Sequence, residues 1–301
     1  MRILVTGKNG QLGQSINKIV NTGNGKNNYQ QDNEFIFVGR EELDLSKKES
    51  IASYFDNNNF DVIINCGAYT AVDRAEEEQN LTNQVNHLAI KQLARIAKEQ
   101  KAKLIHISTD YVFDGESNKP YKETDTTNPI NVYGKTKLAG EKALQGIMPT
   151  NAIIIRTSWV CSEFGNNFVK TMLKLGQERD EISVVNDQIG SPTYATDLAR
   201  VILAIVSNKD YQVKEQLTEI YHYSNKGEIS WYEFASGIFK IADIDCKVNP
   251  IATKQYPTPA RRPKNTLMSK SKIKQKFGIK IARWEKSLEF CVNNYLASLK
   301  Q

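Results

Sequence analysis

The chain has 301 residues, 40 Lys and Arg against 34 Asp and Glu, and a formal net charge of +6; 40% of it is hydrophobic and 25% charged. That is the ordinary balance of a soluble chain with ample material for a core, and it predicts one main domain with a smaller lobe. Apolar runs such as Ala152-Ile153-Ile154-Ile155 fall far short of the roughly 18 residues that cross a bilayer, while Cys66, Cys161, Cys246 and Cys291 without a Cys-x-x-Cys pattern, and His87, His106 and His222 without a close pair, exclude a disulfide framework and a metal centre.

Residues 1–7 carry a few apolar side chains ahead of a glycine loop, which reads as a buried strand rather than a secretory segment and predicts a cytoplasmic protein. Thr6-Gly7-Lys8-Asn9-Gly10-Gln11-Leu12-Gly13 joins this strand to a helix over 10–20. Gly7, Gly10 and Gly13 permit a tight turn, close approach to phosphate and close helix-to-sheet contact. The first-turn amides of Gln11 and Leu12 supply donors, so a dinucleotide pyrophosphate is expected there.

Residues 21–33, rich in Asn, Gly and Gln, predict a surface loop, and 34–38 form the next strand. At its end stands Gly39-Arg40, where an NAD-specific site uses an acidic side chain on the ribose hydroxyls. A cation favours the extra phosphate of NADP, so NADPH is the expected cofactor, with NADH also usable. Asp44 and Leu45 suit the adenine. After a strand at 61–65, the small residues around Ala68, Tyr69 and Thr70 let the backbone pass the ribose and phosphates.

An amphipathic helix is predicted over about 80–101 from Val85, Leu88, Ala89, Leu93, Ile96 and Ala97; Asn86 within it reads alone as an ordinary polar helix residue. A strand at 103–108 leads into Ser108-Thr109-Asp110-Tyr111. Next comes Asn131-Val132-Tyr133-Gly134-Lys135-Thr136-Lys137, the only Tyr-x-x-x-Lys among 13 tyrosines. Four residues apart on a helix, Tyr133 and Lys137 project from one face. A free tyrosine has a pKa near ~10, so a proton donor at neutral pH needs a nearby cation, and Lys137 is expected to lower the phenol.

With the strand at 152–157, strands and helices alternate as in an α/β, doubly wound parallel sheet of Rossmann type, with ligands at the carboxyl ends of its strands. Prolines 192, 250, 257, 259 and 263 mark a smaller C-terminal substrate-binding lobe. A helix at 194–206 and a strand at 219–223 return to the main sheet. The expected division is 1–158 with about 193–224 for the dinucleotide, and 159–192 with about 225–301 for the lobe. The stiff loop Pro257-Thr258-Pro259-Ala260-Arg261-Arg262-Pro263 can hold a guanidinium fork towards a nucleotide diphosphate. Its basic surroundings are not interleaved with aromatics, which argues against nucleic acid. Trp159 alone reads as core.

The nucleotide loop with Tyr133 and Lys137 resembles the extended branch of the short-chain dehydrogenase/reductase superfamily. The stretches at 108–115, 131–141, 156–160, 165–168, 186–188 and 256–263 together resemble the dTDP-4-dehydrorhamnose reductase family, over nearly the whole chain. The resemblance implies reduction of the C4 ketone of a dTDP-4-keto-6-deoxy sugar to dTDP-L-rhamnose, with Thr109, Tyr133 and Lys137 catalytic. It implies substrate contacts at Thr109, Asp110 and Trp159, and Asn167 of the 165–168 stretch and Arg262 of the proline loop are counted with them as substrate-binding candidates. Cofactor contacts fall on the turn from Gly10 to Leu12, Arg40, Asp44, Leu45, Ala68, Tyr69 and Thr70, and on Asn86. Some members hold Mg2+ through carboxylates at a homodimer interface; Ser15 and Thr196 occupy two such positions here, which argues against that site. The rival readings are another nucleotide-sugar epimerase or reductase of the superfamily, and a non-catalytic regulatory subunit resembling that of methionine adenosyltransferase. A dehydratase is disfavoured because no Asp-Glu pair follows Thr109.

Overall fold

Short apolar strands alternating with helices fix the architecture of the computed structural model, which describes residues 1–22, 33–213 and 215–300. Strands β1 (Arg2–Thr6), β2 (Glu34–Val38), β3 (Val62–Asn65), β4 (Lys103–Thr109) and β5 (Ala152–Thr157) alternate with α1 (Gln11–Thr22), α2 (Lys48–Asp56), α3 (Val72–Ala75), α4 (Gln79–Asn83), α5 (Ala89–Glu99) and α6 (Val132–Ile147). The later chain adds β6 (Val160–Cys161), α7 (Phe168–Glu178), β7 (Glu181–Val185), β8 (Ile189–Gly190), β9 (Thr193–Tyr194), α8 (Ala195–Val206), α9 (Lys209–Val213) and β10 (Glu219–His222). It closes with β11 (Ile229–Ser230), α10 (Trp231–Ala242), β12 (Lys247–Ile251), α11 (Ser271–Phe277) and α12 (Trp284–Ser298).

The main sheet has the order β10-β5-β4-β3-β1-β2, with every pairing parallel. Successive side chains of a strand face opposite ways, and both faces here are covered. Ile3, Val5, Ile64, Ile105 and Ile155 pack with Ile16 of α1 and Leu198 and Ile202 of α8. Leu4, Ile63, Leu104 and Ile154 pack on the other side with Ile51, Leu93 and Leu144. Near-continuous apolar runs are what a parallel sheet buried on both faces requires.

Two expected boundaries move. Asn21 and Thr22 belong to α1 rather than to the predicted loop at 21–33, of which residues 23–32 lie outside the described residues. The helix expected over 80–101 is interrupted by a π-helical turn, Gln84–Leu88, between α4 and α5. Periodicity alone does not show such a turn, because the apolar stripe resumes beyond it.

In the lobe, β12 pairs with β7, and α10 packs against α7 and α12 around Phe234, Ile238 and Leu288. Ser230 starts α10 with a capping box to Glu233, the reciprocal arrangement that satisfies two orphan amides. Ile273 of α11 packs with the core of the main sheet.

Helix α6 sits unusually close to its neighbours. A Cβ on Gly140 would lie 2.2 Å from the Asn86 carbonyl oxygen, and one on Gly134 equally close, at 2.2 Å, to that of Tyr111. Both obstacles are backbone, so the helix itself must shift to admit a methyl group. Gly140→Ala should therefore destabilise the fold by roughly 1–3 kcal/mol, as overpacking does. Denaturant midpoints measured against Gly146→Ala, where nothing lies within 4 Å of the added atom, check this.

Candidate active site

The site is assembled at the carboxyl ends of the strands, where such sheets hold ligands. Gly7, at φ +69°, turns the chain after β1, and a Cβ on Gly13 would lie 2.3 Å from the Gly7 carbonyl oxygen. The loop thus folds as its glycines predict and brings the first turn of α1 to a cleft of ≈ 570 Å³. Gly10, Gln11, Thr109, Tyr133, Lys137 and Trp159 line it. A second cavity of ≈ 320 Å³, lined by Gly7, Arg40, Asp44, Leu45 and Tyr69, shares Ala68 with the first. The two flank the glycine loop as a dinucleotide's two halves would require. A backbone cradle that no Cβ could enter, with helix-start amides beside it, fits a pyrophosphate.

Asn131 caps α6 by accepting from the Gly134 amide at 2.8 Å, and its Nδ2 donates to the Arg261 carbonyl at 2.8 Å. From this start Tyr133 and Lys137 face the cleft one turn apart. The Tyr133 ring meets Tyr111 edge-on at 5.8 Å. Burial pushes its phenol up to about 12, opposed by a hydrogen bond with Thr109 and reinforced by the charge of Asp110. Burial lowers Lys137 to about 8, opposed by Glu141, and Nζ donates to the Ile107 carbonyl at 2.6 Å. The expectation that the ammonium lowers the phenol is thus not met in this arrangement: the cation is turned to a carbonyl, and desolvation dominates the tyrosine.

Thr109 donates to Asp110 Oδ1 at 3.0 Å and accepts from the Tyr111 amide at 3.2 Å. Asp110 is 2% exposed and lies behind Thr109 rather than in the cleft wall. Burial pushes its carboxyl up to about 6, opposed by the hydroxyls of Thr266 and Thr109. Trp159 adopts φ 46° and stacks on Trp231 with centroids 3.6 Å apart; a Cβ on Gly190 would lie 2.8 Å from its indole. Both indoles line the cleft, so Trp159 is wall as well as core.

Other expected site residues are committed to structure. Asn167 caps α7 and donates to Gln11 Oε1 at 3.0 Å, tying the lobe to the nucleotide loop while lining the cleft. Asn86 is fully buried and brackets Tyr69, accepting from its amide at 2.9 Å and donating to its carbonyl at 3.0 Å. It lines neither cavity and acts through the loop it clamps. Arg262 departs from the fork expected for phosphate: Nη1 and Nη2 donate to Asp73 at 3.0 and 2.7 Å, and the residue lines neither cavity. The sequence offers no sign of this pairing, because Asp73 lies 189 positions away. Thr70 lines the first cleft. Arg40 pairs loosely with Asp44 at 3.4 Å and is 76% exposed at its side chain.

Trp231 and Arg74 were missed by the sequence reading. Trp231 follows the cap Ser230, a weak sign at best; Arg74, which lines the second cavity with Arg40, had no sign at all. Ser15, whose hydroxyl donates to the Gln11 carbonyl, and Thr196 are both buried. Among the described residues no cluster of His, Cys, Asp or Glu is arranged for a metal, and no helix is long and apolar enough to cross a membrane.

The RmlD substrate binding domain family model matches residues 1–297. A dTDP-4-dehydrorhamnose reductase of Aggregatibacter actinomycetemcomitans is 42% identical over 294 residues, covering 96% of this chain and 97% of the relative. The crystal structure of a dTDP-4-dehydrorhamnose reductase from Clostridium acetobutylicum superposes with a TM-score of 0.87 at 40% identity, covering 100% of both chains. That of the Bacillus anthracis enzyme in complex with NADP superposes with a TM-score of 0.88 at 35% identity, covering 97% of this chain and 99% of that one.

The Asp110 carboxyl sets a pH dependence. Its folded value of about 6 stands above the ordinary 3.8, so the native state binds the proton more tightly than the unfolded chain does. Wild type should gain stability over Asp110→Asn as pH falls from about 7 to about 4, by on the order of 1–3 kcal/mol. Denaturant unfolding of both proteins across that window tests it; a pH-independent difference would refute it.

Proposed function

The chain belongs to the RmlD substrate binding domain family, and on that premise we propose how its residues carry out the NADPH-dependent reduction of the C4 ketone of dTDP-4-dehydro-β-L-rhamnose to dTDP-L-rhamnose. The observation that carries the reading is one cleft lined by Gly10, Thr109, Tyr133, Lys137 and Trp159 together: phosphate cradle, carbonyl anchor, proton donor, cation and sugar wall. The doubly wound sheet delivers all of them to the same edge.

NADPH supplies the hydride that reaches the C4 carbon. Tyr133, protonated at neutral pH with its phenol pushed up to about 12, gives its proton to the carbonyl oxygen as negative charge develops there. Thr109 anchors that oxygen by turning its one hydroxyl proton to it from Asp110 Oδ1, to which it donates before substrate binds. Lys137 holds the ribose of the nicotinamide and returns a proton towards Tyr133. The Gly7 to Gly13 cradle takes the pyrophosphate, and Arg40 takes the additional phosphate that distinguishes NADPH, in a cavity also lined by Arg74, which pairs with Glu78. Trp159, braced by Trp231, supports the sugar or base.

Residues 1–158 with about 193–224 form the dinucleotide unit in this reading, and the remainder the substrate lobe. The packing of Ile273 with the main core supports counting α11 with the dinucleotide unit. A cytoplasmic location belongs to the same reading and rests on the short apolar runs and the strand-like first residues, while a homodimeric state rests on the family resemblance.

Tyr133→Phe should lower kcat by roughly 10²-fold or more while NADPH binding is largely kept, given typical general-acid contributions. The assay is stoichiometric NADPH depletion with the dTDP-4-keto-6-deoxy sugar, which also separates a reductase from an epimerase that regenerates its cofactor. Near-normal turnover of the variant would sink the mechanism. Arg40→Ala should weaken NADPH binding by about tenfold, one charge-assisted contact, and leave NADH binding nearly unchanged. Equal effects on the two cofactors would contradict the role given to Arg40.

A further inference from the structure

Behind the catalytic helix lies a row of buried polar groups for which the mechanism above has no use. Thr6, Asn65 and His106 are cross-strand neighbours on β1, β3 and β4, in register with one another, and their relative exposures are 1%, 1% and 0%. The same row continues as Val38 on β2, Ile154 on β5 and Ile220 on β10. Their hydrogen bonds run one way. The Gly67 amide donates to Thr6 Oγ1 at 3.2 Å, and the Thr6 hydroxyl in turn donates to Asn65 Oδ1 at 2.6 Å. That fixes Asn65 Nδ2 as the atom facing His106 Nδ1, at 3.0 Å. Nδ2 can only donate, so Nδ1 accepts, and the neutral imidazole must carry its proton on Nε2. Nε2 faces Lys137 Nζ at 3.5 Å.

The row therefore ends with an N–H aimed at a lysine nitrogen. An ammonium has three donors and no lone pair, so it meets that N–H as donor against donor. An amine has a lone pair for it and still has an N–H for the Ile107 carbonyl. We propose that His106 is a positioning residue for the reduction: held by Thr6 and Asn65 in its Nε2–H tautomer, it favours the amine form of Lys137 and so eases release of the lysine proton towards Tyr133. The balance is simple. The O–H bond of Tyr133 breaks as its proton goes to the C4 alkoxide; an N–H bond of Lys137 then breaks and the phenolate regains its proton. The amine left behind accepts from His106 until solvent restores the ammonium.

The other charged and titratable groups around Lys137 act as follows. Glu141, on the same helix, favours the ammonium, but its carboxylate is shared with Arg156 of β5 and Ser108 of β4. Tyr133 lies one turn before the lysine, and Asp110 acts on Tyr133. His106 itself is kept neutral by burial first and by the charge of Lys137 second. The proposal rests on the mechanism given above only for the direction of the proton.

Two measurements on the full chain with NADPH bound test it. The chain has three histidines, so selective ¹⁵N labelling resolves the His106 ring directly. The expected spectrum is an Nε2–H tautomer that does not titrate between about pH 6 and 9, where free imidazole would; an Nδ1–H tautomer or a protonated ring overturns the proposal whatever the activity. The second measurement is the basic limb of the kcat profile against pH. Asn65→Asp accepts from Nδ1–H, turns the Nε2 lone pair towards Lys137, and should raise that limb by about one unit, a tenfold change in the proton equilibrium. His106→Gln, should the aspartate fail to fold, can turn its amide oxygen to the lysine and should shift the limb the same way. A limb unmoved in the folded variants, with only kcat or KM lowered, assigns the row to packing and overturns the proposal. A failed reduction mechanism reads differently: Tyr133→Phe would retain turnover while the His106 spectrum kept the predicted tautomer.

Discussion

The geometry of the site depends on an ion pair sealed inside the protein. Arg156 of β5 meets Glu141 of α6 through Nε at 3.0 Å and Nη2 at 2.7 Å, with side-chain exposures of only 3% and 1%. Ser108 of β4 donates to the same carboxylate, and the guanidinium rests over the Phe113 ring at 5.1 Å. Burying two charges gains little over an apolar pair of the same size, but removing one partner leaves the other stranded at a cost of about 3–5 kcal/mol. The pair is better understood as a registration device. It fixes the rotation of α6 over β4 and β5, and that rotation decides whether Tyr133 and Lys137 point at the cleft. Glu141 lies one turn beyond Lys137, so the same contact that seats the helix also sets the charge the lysine feels.

Around this seat a second tier of contacts holds the walls. Gly134 and Gly140 let α6 touch the backbone of its neighbours, and Asn86 grips the loop after β3 through both backbone groups of Tyr69. The lobe is tied on at separated points: Asn167 to Gln11, Asn131 to the Arg261 carbonyl, and Arg262 to Asp73. Of these side chains Asn167 and Gln11 also line the cleft, whereas Asn131, Arg262 and Asp73 line neither cavity. At Gln11 the lobe attachment and the cleft wall are therefore the same contact, while the Arg262 guanidinium is spent on Asp73.

The parts of this arrangement that were legible in the sequence are those governed by local rules. Short apolar runs located the sheet strands, because burial on both faces makes a strand continuously apolar, and the glycine loop at the end of β1 marked the start of α1. The glycine loop and the Tyr133–Lys137 spacing were legible because each encodes its geometry within a few residues. What escaped depends on distant partners. Nothing near Arg262 names Asp73, nothing near Trp159 names Trp231, and the inward turn of Lys137 depends on a β4 carbonyl. The π turn escaped for a different reason: one extra residue in a helix leaves the stripe on either side intact.

That turn has a consequence for how the helix aims its side chains. A π turn holds one residue more than the α-helix around it would, and each residue of an α-helix advances the chain by about 100°. An extra residue kept in a continuous α-helix would turn everything beyond it by that angle, whereas the π turn at Gln84–Leu88 takes up the surplus in one wider turn and leaves the faces on either side in phase. Leu93 and Ala97 therefore stay on the sheet side, while Asn86, inside the wide turn, is aimed at both backbone groups of Tyr69. The surplus residue is a local adjustment: it re-aims one side chain without disturbing the rod that carries it.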